Sequence, residues 1–139
     1  MVGLAEPADA VQSVRMSAPR LKLSLVNLGG PDVGVLLRFY QQLLGWRVET
    51  EDEDWAVLRD PAGGVGLAFQ TEVHHRPPTW PAGPTDQQQQ VHLEIEVDDL
   101  RAASEHAVAC GAAVAAFQPQ DDVLVHIDPA GHPFCLYVD

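Results

Sequence analysis

The chain has 139 residues, the length of one domain or of two very small modules that share one core. Hydrophobic residues make up 46% of it and charged residues 20%, which excludes wholesale disorder and low-complexity architectures and predicts a packed core. The formal charge is −12 and the 8 Lys and Arg residues are scattered singly, which argues against nucleic acid as a partner because polyanion binding needs clustered cations.

The start of the chain shows neither a targeting signal nor a folded element. Residues 1–19 mix small, polar and acidic residues without periodicity, which predicts a disordered N-terminal segment. Residues 1–20 lack the cationic start and apolar core of a signal peptide, and no apolar run approaches the ~20 residues of a membrane span. We therefore expect a cytoplasmic protein with no membrane partner, in which Cys110 and Cys135 stay as thiols.

Residues 21–70 predict a strand, a helix, a short strand and a hairpin. The apolar residues at 21–28 predict the first strand. Asp32 can cap a helix and Gly45 can end it. The helix has one apolar face, made of Val33, Leu36, Leu37, Tyr40 and Leu44. Residues 47–50 then predict a short strand, and residues 55–59 and 66–70 the two strands of the hairpin.

Residues 71–90 predict a loop, because they contain four prolines and a run of glutamines. Trp80 is the exception in this polar segment, and we expect it to be buried over a cavity mouth or in a dimer contact. Residues 91–139 then predict the same element order as before. A strand at 91–97 alternates apolar and polar residues, a helix capped by Asp98 or Asp99 ends at Gly111, and residues 113–117 precede a second hairpin.

The tetrapeptide Asp-Pro-Ala-Gly occurs twice, at residues 60–63 and 128–131, an offset of 128 − 60 = 68. Proline presets the negative φ that the second turn position needs and glycine supplies a positive φ, so each copy predicts the turn of a hairpin. We interpret the surrounding agreement as an internal repeat. The sequence thus predicts an α+β fold of two tandem βαβββ modules at 21–70 and 91–139, joined by the linker 71–90 into a single domain, 21–139.

Three motifs, together with this module order, resemble the vicinal oxygen chelate superfamily, and more narrowly its glyoxalase-like, bleomycin-resistance-type branch. They are Phe39-Tyr40 followed by Leu44-Gly45-Trp46, the strand–helix junction at 91–100, and the turn Asp-Pro-Ala-Gly-His-Pro-Phe-Cys at 128–135. The resemblance implies that each module curls into a half-barrel, that the halves enclose a cavity, and that the protein is a homodimer. In the metal-dependent members, the first and last strands of each module supply the metal ligands.

The offset between the two turns locates those metal-facing positions in this chain. His92 corresponds to Ser24, since 92 − 68 = 24, and Cys135 to Leu67, since 135 − 68 = 67. Leu67 cannot bind a metal, Ser24 is a poor neutral ligand, and Cys135 is a soft thiol where the superfamily uses a carboxylate. We therefore expect no cofactor. If a divalent metal is present, we expect His92 to hold it with Glu94 or Cys135.

The same offset predicts a cavity with one apolar and one polar half. His92 and Glu94 are the candidate catalytic residues, although a hydrogen-bonded wall histidine and a solvated carboxylate are their ordinary alternatives. Core packing is the alternative for the aromatic residues that correspond at the offset, Phe69 and Tyr137. The predicted ligand-binding residues are Ser24, Val26, Leu67, Phe69, Trp80, His92, Glu94, Cys135 and Tyr137.

Two functions follow from these expectations. The first is a small-molecule binding protein with a degenerate metal site and a small organic ligand as its partner. The alternative is a metal-dependent lyase or dioxygenase-like enzyme that uses His92 and Glu94. A structural role in a larger assembly is a third possibility that no sequence feature favours.

Overall fold

The computed structural model describes residues 18–139. Residues 1–19 were predicted to be disordered, and residues 1–17 of this segment lie outside the described residues. The first module contains strand β1 (Leu25–Gly30), helix α1 (Val33–Leu44), and strands β2 (Arg47–Glu51), β3 (Trp55–Arg59) and β4 (Gly66–Thr71). The second contains β5 (Leu93–Glu96), α2 (Leu100–Cys110), β6 (Ala113–Val114), β7 (Val123–Ile127) and β8 (Pro133–Tyr137).

The strands form two four-stranded sheets, ordered β1-β4-β3-β2 and β5-β8-β7-β6. In each sheet the first strand pairs in parallel with the last, and the other pairs are antiparallel. The predicted α+β fold of two βαβββ modules is confirmed. The sheets are curled but, within residues 18–139, they do not close into a barrel.

Both helices begin at an aspartate and end at a glycine. Asp32 Oδ1 accepts a hydrogen bond from Val35 N at 3.2 Å, and Asp99 Oδ1 accepts one from Ala102 N at 3.0 Å. Asp99, rather than Asp98, therefore caps α2. Gly45 ends α1 with a φ of 68°, a left-handed conformation that glycine adopts without steric cost.

The two predicted hairpin turns have the same internal hydrogen bonds. Asp60 O accepts from Gly63 N, and Asp128 O accepts from Gly131 N, both at 2.9 Å. The side chain of each aspartate also accepts a hydrogen bond from the alanine of the motif, at 2.8 Å in the first turn and 2.9 Å in the second. These contacts explain why the tetrapeptide forms a turn in both places.

One hydrophobic core serves both modules. Tyr40 of α1 stacks on Phe69 of the first sheet, with ring centroids 5.6 Å apart. Its neighbour Phe39 contacts Phe134 of the second sheet, with centroids 5.8 Å apart. Because one helix packs against strands of both sheets, the two modules are joined by burial rather than by strand pairing.

Strand β5 spans Leu93–Glu96 instead of the predicted 91–97, and two other strands differ more from their predicted extents. The first strand begins at Leu25 rather than at residue 21, and Leu21 and Leu23 are 89% and 72% exposed. The strand predicted at 113–117 is reduced to Ala113–Val114. Local apolar patterning indicated both strands, but their lengths depend on where a neighbouring strand is available for pairing.

Candidate functional site

A cluster of three chemically reactive side chains lies on the second sheet, where its first and last strands pair. Glu94 of β5 is paired with Cys135 of β8, and His92 lies immediately before β5. One ligand atom from each of the three residues lies within 4.8 Å of the other two. His92 Nε2 is 2.7 Å from Glu94 Oε1, and both of these side chains are exposed to solvent.

The thiol of Cys135 is the buried member of this cluster, with 7% of the residue exposed. Burial raises its pKa to about 11, and the negative charge of Glu94 and a hydrogen bond to that carboxylate act in the same direction. The thiol is therefore protonated at neutral pH. It is a poor nucleophile in this state, because the thiolate is the reactive form.

The sheet face that carries Cys135 has a small apolar floor. Ala115, Val125 and Cys135 form a hydrophobic cluster of their own, and Trp80 from the linker packs against it. Trp80 Nε1 donates a hydrogen bond to Phe117 O at 3.2 Å, which holds the indole in place. We call this surface the helix-free face of the second sheet, because α2 packs on the opposite side, against Phe134 and Leu136.

The predicted site residues of the second module and the linker thus meet on one face, whereas those of the first module do not join them. Val26, Leu67 and Phe69 lie in the core with α1. Ser24 Oγ accepts a hydrogen bond from Arg59 Nη1 at 3.1 Å, at the start of the first sheet. Tyr137 lies two positions beyond Cys135 on β8 and is half-buried.

The reason is that the first module has one residue more than the second within its hairpin and one residue fewer between its first strand and the hairpin. Leu58 pairs with Leu67 in the first hairpin, and His126 pairs with Phe134 in the second. The numbering offset is therefore 126 − 58 = 68 between the first strands of the hairpins, but 134 − 67 = 67 between their last strands. The first strands of the two modules have the same offset as the last strands. Val26 pairs with Leu67 in the first module, and Leu93 pairs with Phe134 in the second.

A shift of one residue moves a side chain to the other face of a sheet. The offset counted at the turns therefore selected first-module residues whose side chains face α1. At the offset given by the last strands, Glu94 corresponds to Asn27 and Cys135 to Ala68. Asn27 Nδ2 donates to Gln70 Oε1 at 2.9 Å on that face. Sequence reasoning missed Asn27, although Val26 and Leu28 match the apolar Leu93 and Ile95 at this offset.

The donor set fits a divalent metal with three protein ligands. Imidazole nitrogen, carboxylate oxygen and thiolate sulfur are all zinc ligands, and a catalytic zinc usually has three protein ligands and an open position. His92, Glu94 and Cys135 would hold the ion, and Cys135 would have to lose its proton on binding. At the corresponding positions the first module has Leu25, Asn27 and Ala68, of which only the neutral Asn27 has a polar side chain, so the site would rest on the second module.

The arrangement of two βαβββ modules, with chemical groups where the first and last strands of a module pair, defines a vicinal oxygen chelate fold. Residues 26–137 match the family described as "Glyoxalase-like domain", and the chain belongs to this family. None of the curated proteins matches the chain. In the described residues, no helix is long and apolar enough to cross a membrane.

Solved structures of low sequence identity share the fold. A glyoxalase/bleomycin resistance protein/dioxygenase family enzyme from Burkholderia phytofirmans PsJN is 19% identical with a TM-score of 0.65, covering 85% of this chain and 98% of its own. The bleomycin-binding protein from Streptomyces verticillus, in complex with copper(II)-bleomycin, is 20% identical with a TM-score of 0.57, covering 88% and 99%. Lactoylglutathione lyase from Agrobacterium tumefaciens is 15% identical with a TM-score of 0.58, covering 87% and 96%.

Proposed function

We propose that this protein binds a small organic molecule on the helix-free face of the second sheet. The observation that carries the proposal is the apolar floor of Ala115, Val125 and Cys135, which Trp80 borders and the exposed pair of His92 and Glu94 flanks. An apolar surface with a few polar groups at its edge is the usual composition of a ligand site. The bleomycin-binding relative supports this reading, because it uses the same fold to hold a small molecule.

The charge of this face favours a cationic ligand. Glu94 and Glu96 are both exposed and, two positions apart on β5, point to the same side of the sheet. The formal net charge of −12 attracts cations over a longer range as well. The ligand class that fits is therefore an amphipathic organic cation, with its apolar part against Trp80 and its charge at Glu94.

Calorimetric titration with tryptamine and with the neutral tryptophol tests this proposal, because the two probes share the indole and differ in charge. We expect tryptamine to bind more tightly, and Glu94→Gln to weaken its binding about two- to fivefold, the effect of an exposed ion pair. Tryptophol binding should not respond to that change. Glu105→Gln, an exposed carboxylate change on α2, is the control.

Trp80→Phe tests the apolar part of the site. We expect it to weaken both probes, since the smaller ring loses contact area over the floor. Trp46→Phe, which alters a partly buried ring packed on the main core, should leave both affinities unchanged. Equal binding of the two probes by the parent protein, or unchanged affinities in Trp80→Phe, would contradict the proposal.

A metal-dependent lyase or dioxygenase-like activity is the second candidate, favoured by the convergence of His92, Glu94 and Cys135. A bound divalent ion would polarise a substrate oxygen as a Lewis acid. The relative from Agrobacterium tumefaciens carries a lyase activity in its name. In this chain, His92, Glu94 and Cys135 would hold the ion, and the thiol of Cys135 would give up its proton on binding.

Titration of the protein with Co²⁺ distinguishes the two candidates. A site that includes Cys135 produces a sulfur-to-cobalt charge-transfer band, and Cys135→Ser should abolish that band. Cys110→Ser is the matched control, because Cys110 lies on α2, outside the cluster. A stoichiometric band that depends on Cys135 favours the enzyme, and the absence of any band favours the binding protein.

A further inference from the structure

A cavity separate from the helix-free face lies at the end of β1, between the linker and the second hairpin turn. Its volume is about 300 Å³, at the lower end of the range for small-molecule sites. Its polar walls include Asn27, His75, Arg76, Gln89 and His132. Neither His92, Glu94, Cys135 nor Trp80 lines it.

His132 is held in the cavity wall by a buried carboxylate. Asp128 is 3% exposed, and its Oδ2 accepts hydrogen bonds from His132 Nδ1 and from Tyr40 Oη, both at 2.7 Å. Asp128 Oδ1 accepts from the backbone N–H groups of Ala130 and His132, at 2.9 and 3.0 Å. Burial and then the charge of Asp128 raise the pKa of Tyr40, so its hydroxyl remains a donor.

This network fixes the orientation of the His132 ring. Nδ1 carries the proton that is donated to Asp128, which leaves Nε2 as the ring atom available to a ligand. His132 Nε2 has no hydrogen bond among the described residues, and the side chain is 19% exposed. The turn itself does not require the contact between Asp128 and His132, because Asp60 forms the first turn without a histidine.

The cavity lining also has a cationic group, Arg76, and a further histidine. Arg76 is exposed and makes no ion pair within residues 18–139. His75 Nε2 donates to Ala130 O at 2.7 Å, and its ring centroid is 5.2 Å from that of His132. The guanidinium of Arg76 can donate two parallel hydrogen bonds to a carboxylate, and His132 Nε2 can accept a hydrogen bond from a hydroxyl or an amide N–H of the same ligand.

Amide side chains make up much of the remaining lining. Asn27 and the three glutamines Gln88, Gln89 and Gln90 line it. Gln89 Oε1 is buried and, in the described part of the chain, has no hydrogen-bond partner. A buried carbonyl without a donor is costly, so a ligand that lets this amide turn and form a bond gains affinity.

We propose that this cavity binds a small monocarboxylate that also carries a hydroxyl or amide group, with Arg76 at the carboxylate and with His132 Nε2 and Gln89 at the hydroxyl or amide group. One arginine compensates one negative charge. A dianion such as phosphate is disfavoured, because the formal net charge of the protein is already −12. The amides account for the second polar group of the ligand, since they supply both donors and acceptors.

The test is an NMR titration of the ¹⁵N-labelled protein with lactate, N-acetylglycine and inorganic phosphate. We expect saturable shifts of the Gln89 side-chain amide and of the Gly131 and His132 backbone amides with both carboxylates, and weaker binding of phosphate. Arg76→Gln should weaken the carboxylates about tenfold, the effect of losing one charge-assisted pair. Arg101→Gln, at an arginine on the outer surface of α2 that is 91% exposed, is the control.

Further variants separate this site from the one proposed above. Glu94→Gln should leave the carboxylate affinities unchanged. The two proposals can therefore fail independently, and the measurements show which of them has failed. His132→Gln should also weaken binding of the carboxylates. If this variant loses the contact with Asp128 and the turn unfolds, the affinities of Arg76→Gln test the proposal. The proposal is overturned if neither carboxylate gives saturable shifts, if phosphate binds as tightly, or if Arg76→Gln leaves the affinities unchanged.

Discussion

At the scale of single residues, the chemical state of Cys135 depends on its neighbour Glu94. The thiol is buried beside a carboxylate, and both effects oppose ionisation, which places its pKa at about 11. Reaction with an alkylating agent follows the thiolate fraction, so the environment slows it.

We predict that Cys135 reacts slowly with iodoacetamide and that Glu94→Gln accelerates the reaction, because the variant removes the negative charge that helps to raise the thiol pKa. Alkylation of each cysteine can be followed by peptide mass spectrometry over a range of pH. Cys110 provides the control within the same sample, because its pKa is raised by burial and not by Glu94. An unchanged rate at Cys135 in the variant would show that burial alone controls the thiol.

At the scale of elements, the contact between α2 and the second sheet contains a buried histidine. His126 of β7 is 0% exposed and stacks on Phe134, with ring centroids 5.5 Å apart. Its Nε2 lies 2.8 Å from Ser104 Oγ on α2. Burial lowers the pKa of His126, because the charged imidazolium loses its hydration, and a hydrogen bond to Leu124 O opposes this in part.

The unfolded chain therefore binds a proton at His126 more readily than the folded protein does. The stability contribution of neutral His126 is complete above its unfolded pKa of about 6.5 and is lost as the pH falls below that value toward the lower folded pKa. We predict that the free energy of unfolding in urea drops on acidification through this window, and that His126→Gln reduces the drop. His74→Gln, in the exposed linker, should retain the slope of the parent.

The elements also show what local sequence rules can and cannot predict. Asp32, Gly45 and the two Asp-Pro-Ala-Gly turns were predictable because caps and turns depend on a few adjacent residues. The cluster around Cys135 was predicted on one face because two paired strands of one module carry it. Val26 and Leu67 lie on the other face of their sheet. The offset counted at the turns does not hold for them, because the first module has one residue more after its turn and one residue fewer between its first strand and the turn.

At the scale of the whole molecule, the shared core makes the two modules depend on each other. Phe134 is 0% exposed and contacts Phe39 and Tyr40 of the other module, besides His126 of its own. Its truncation leaves a cavity between the modules rather than within one of them.

We predict that Phe134→Ala lowers the free energy of unfolding by about 3–5 kcal/mol, the usual cost of truncating a buried aromatic residue. Hydrogen exchange should show lost protection in β1 and β4 as well as in β5 and β8, because the core is common to both sheets. Val108→Ala, at a residue 47% exposed on α2, should stay within about 0.5 kcal/mol of the parent. Loss of protection in the second sheet alone would mean that the modules unfold independently.

The extra residue of the first hairpin also sets the rules for redesign. To build the reactive cluster of the second module into the first, a designer who counts from the turns would replace Ser24, Val26 and Leu67, and would place charges against α1. The strand pairing instead directs the substitutions to Leu25→His, Asn27→Glu and Ala68→Cys, each at the position that its template occupies in the second sheet. Deleting one residue at Gly64 or Val65 would give the strands of the two hairpins one common offset. The first strands of the modules would still differ from it by one residue, because 58 − 26 = 32 positions separate Val26 from Leu58 and 126 − 93 = 33 separate Leu93 from His126.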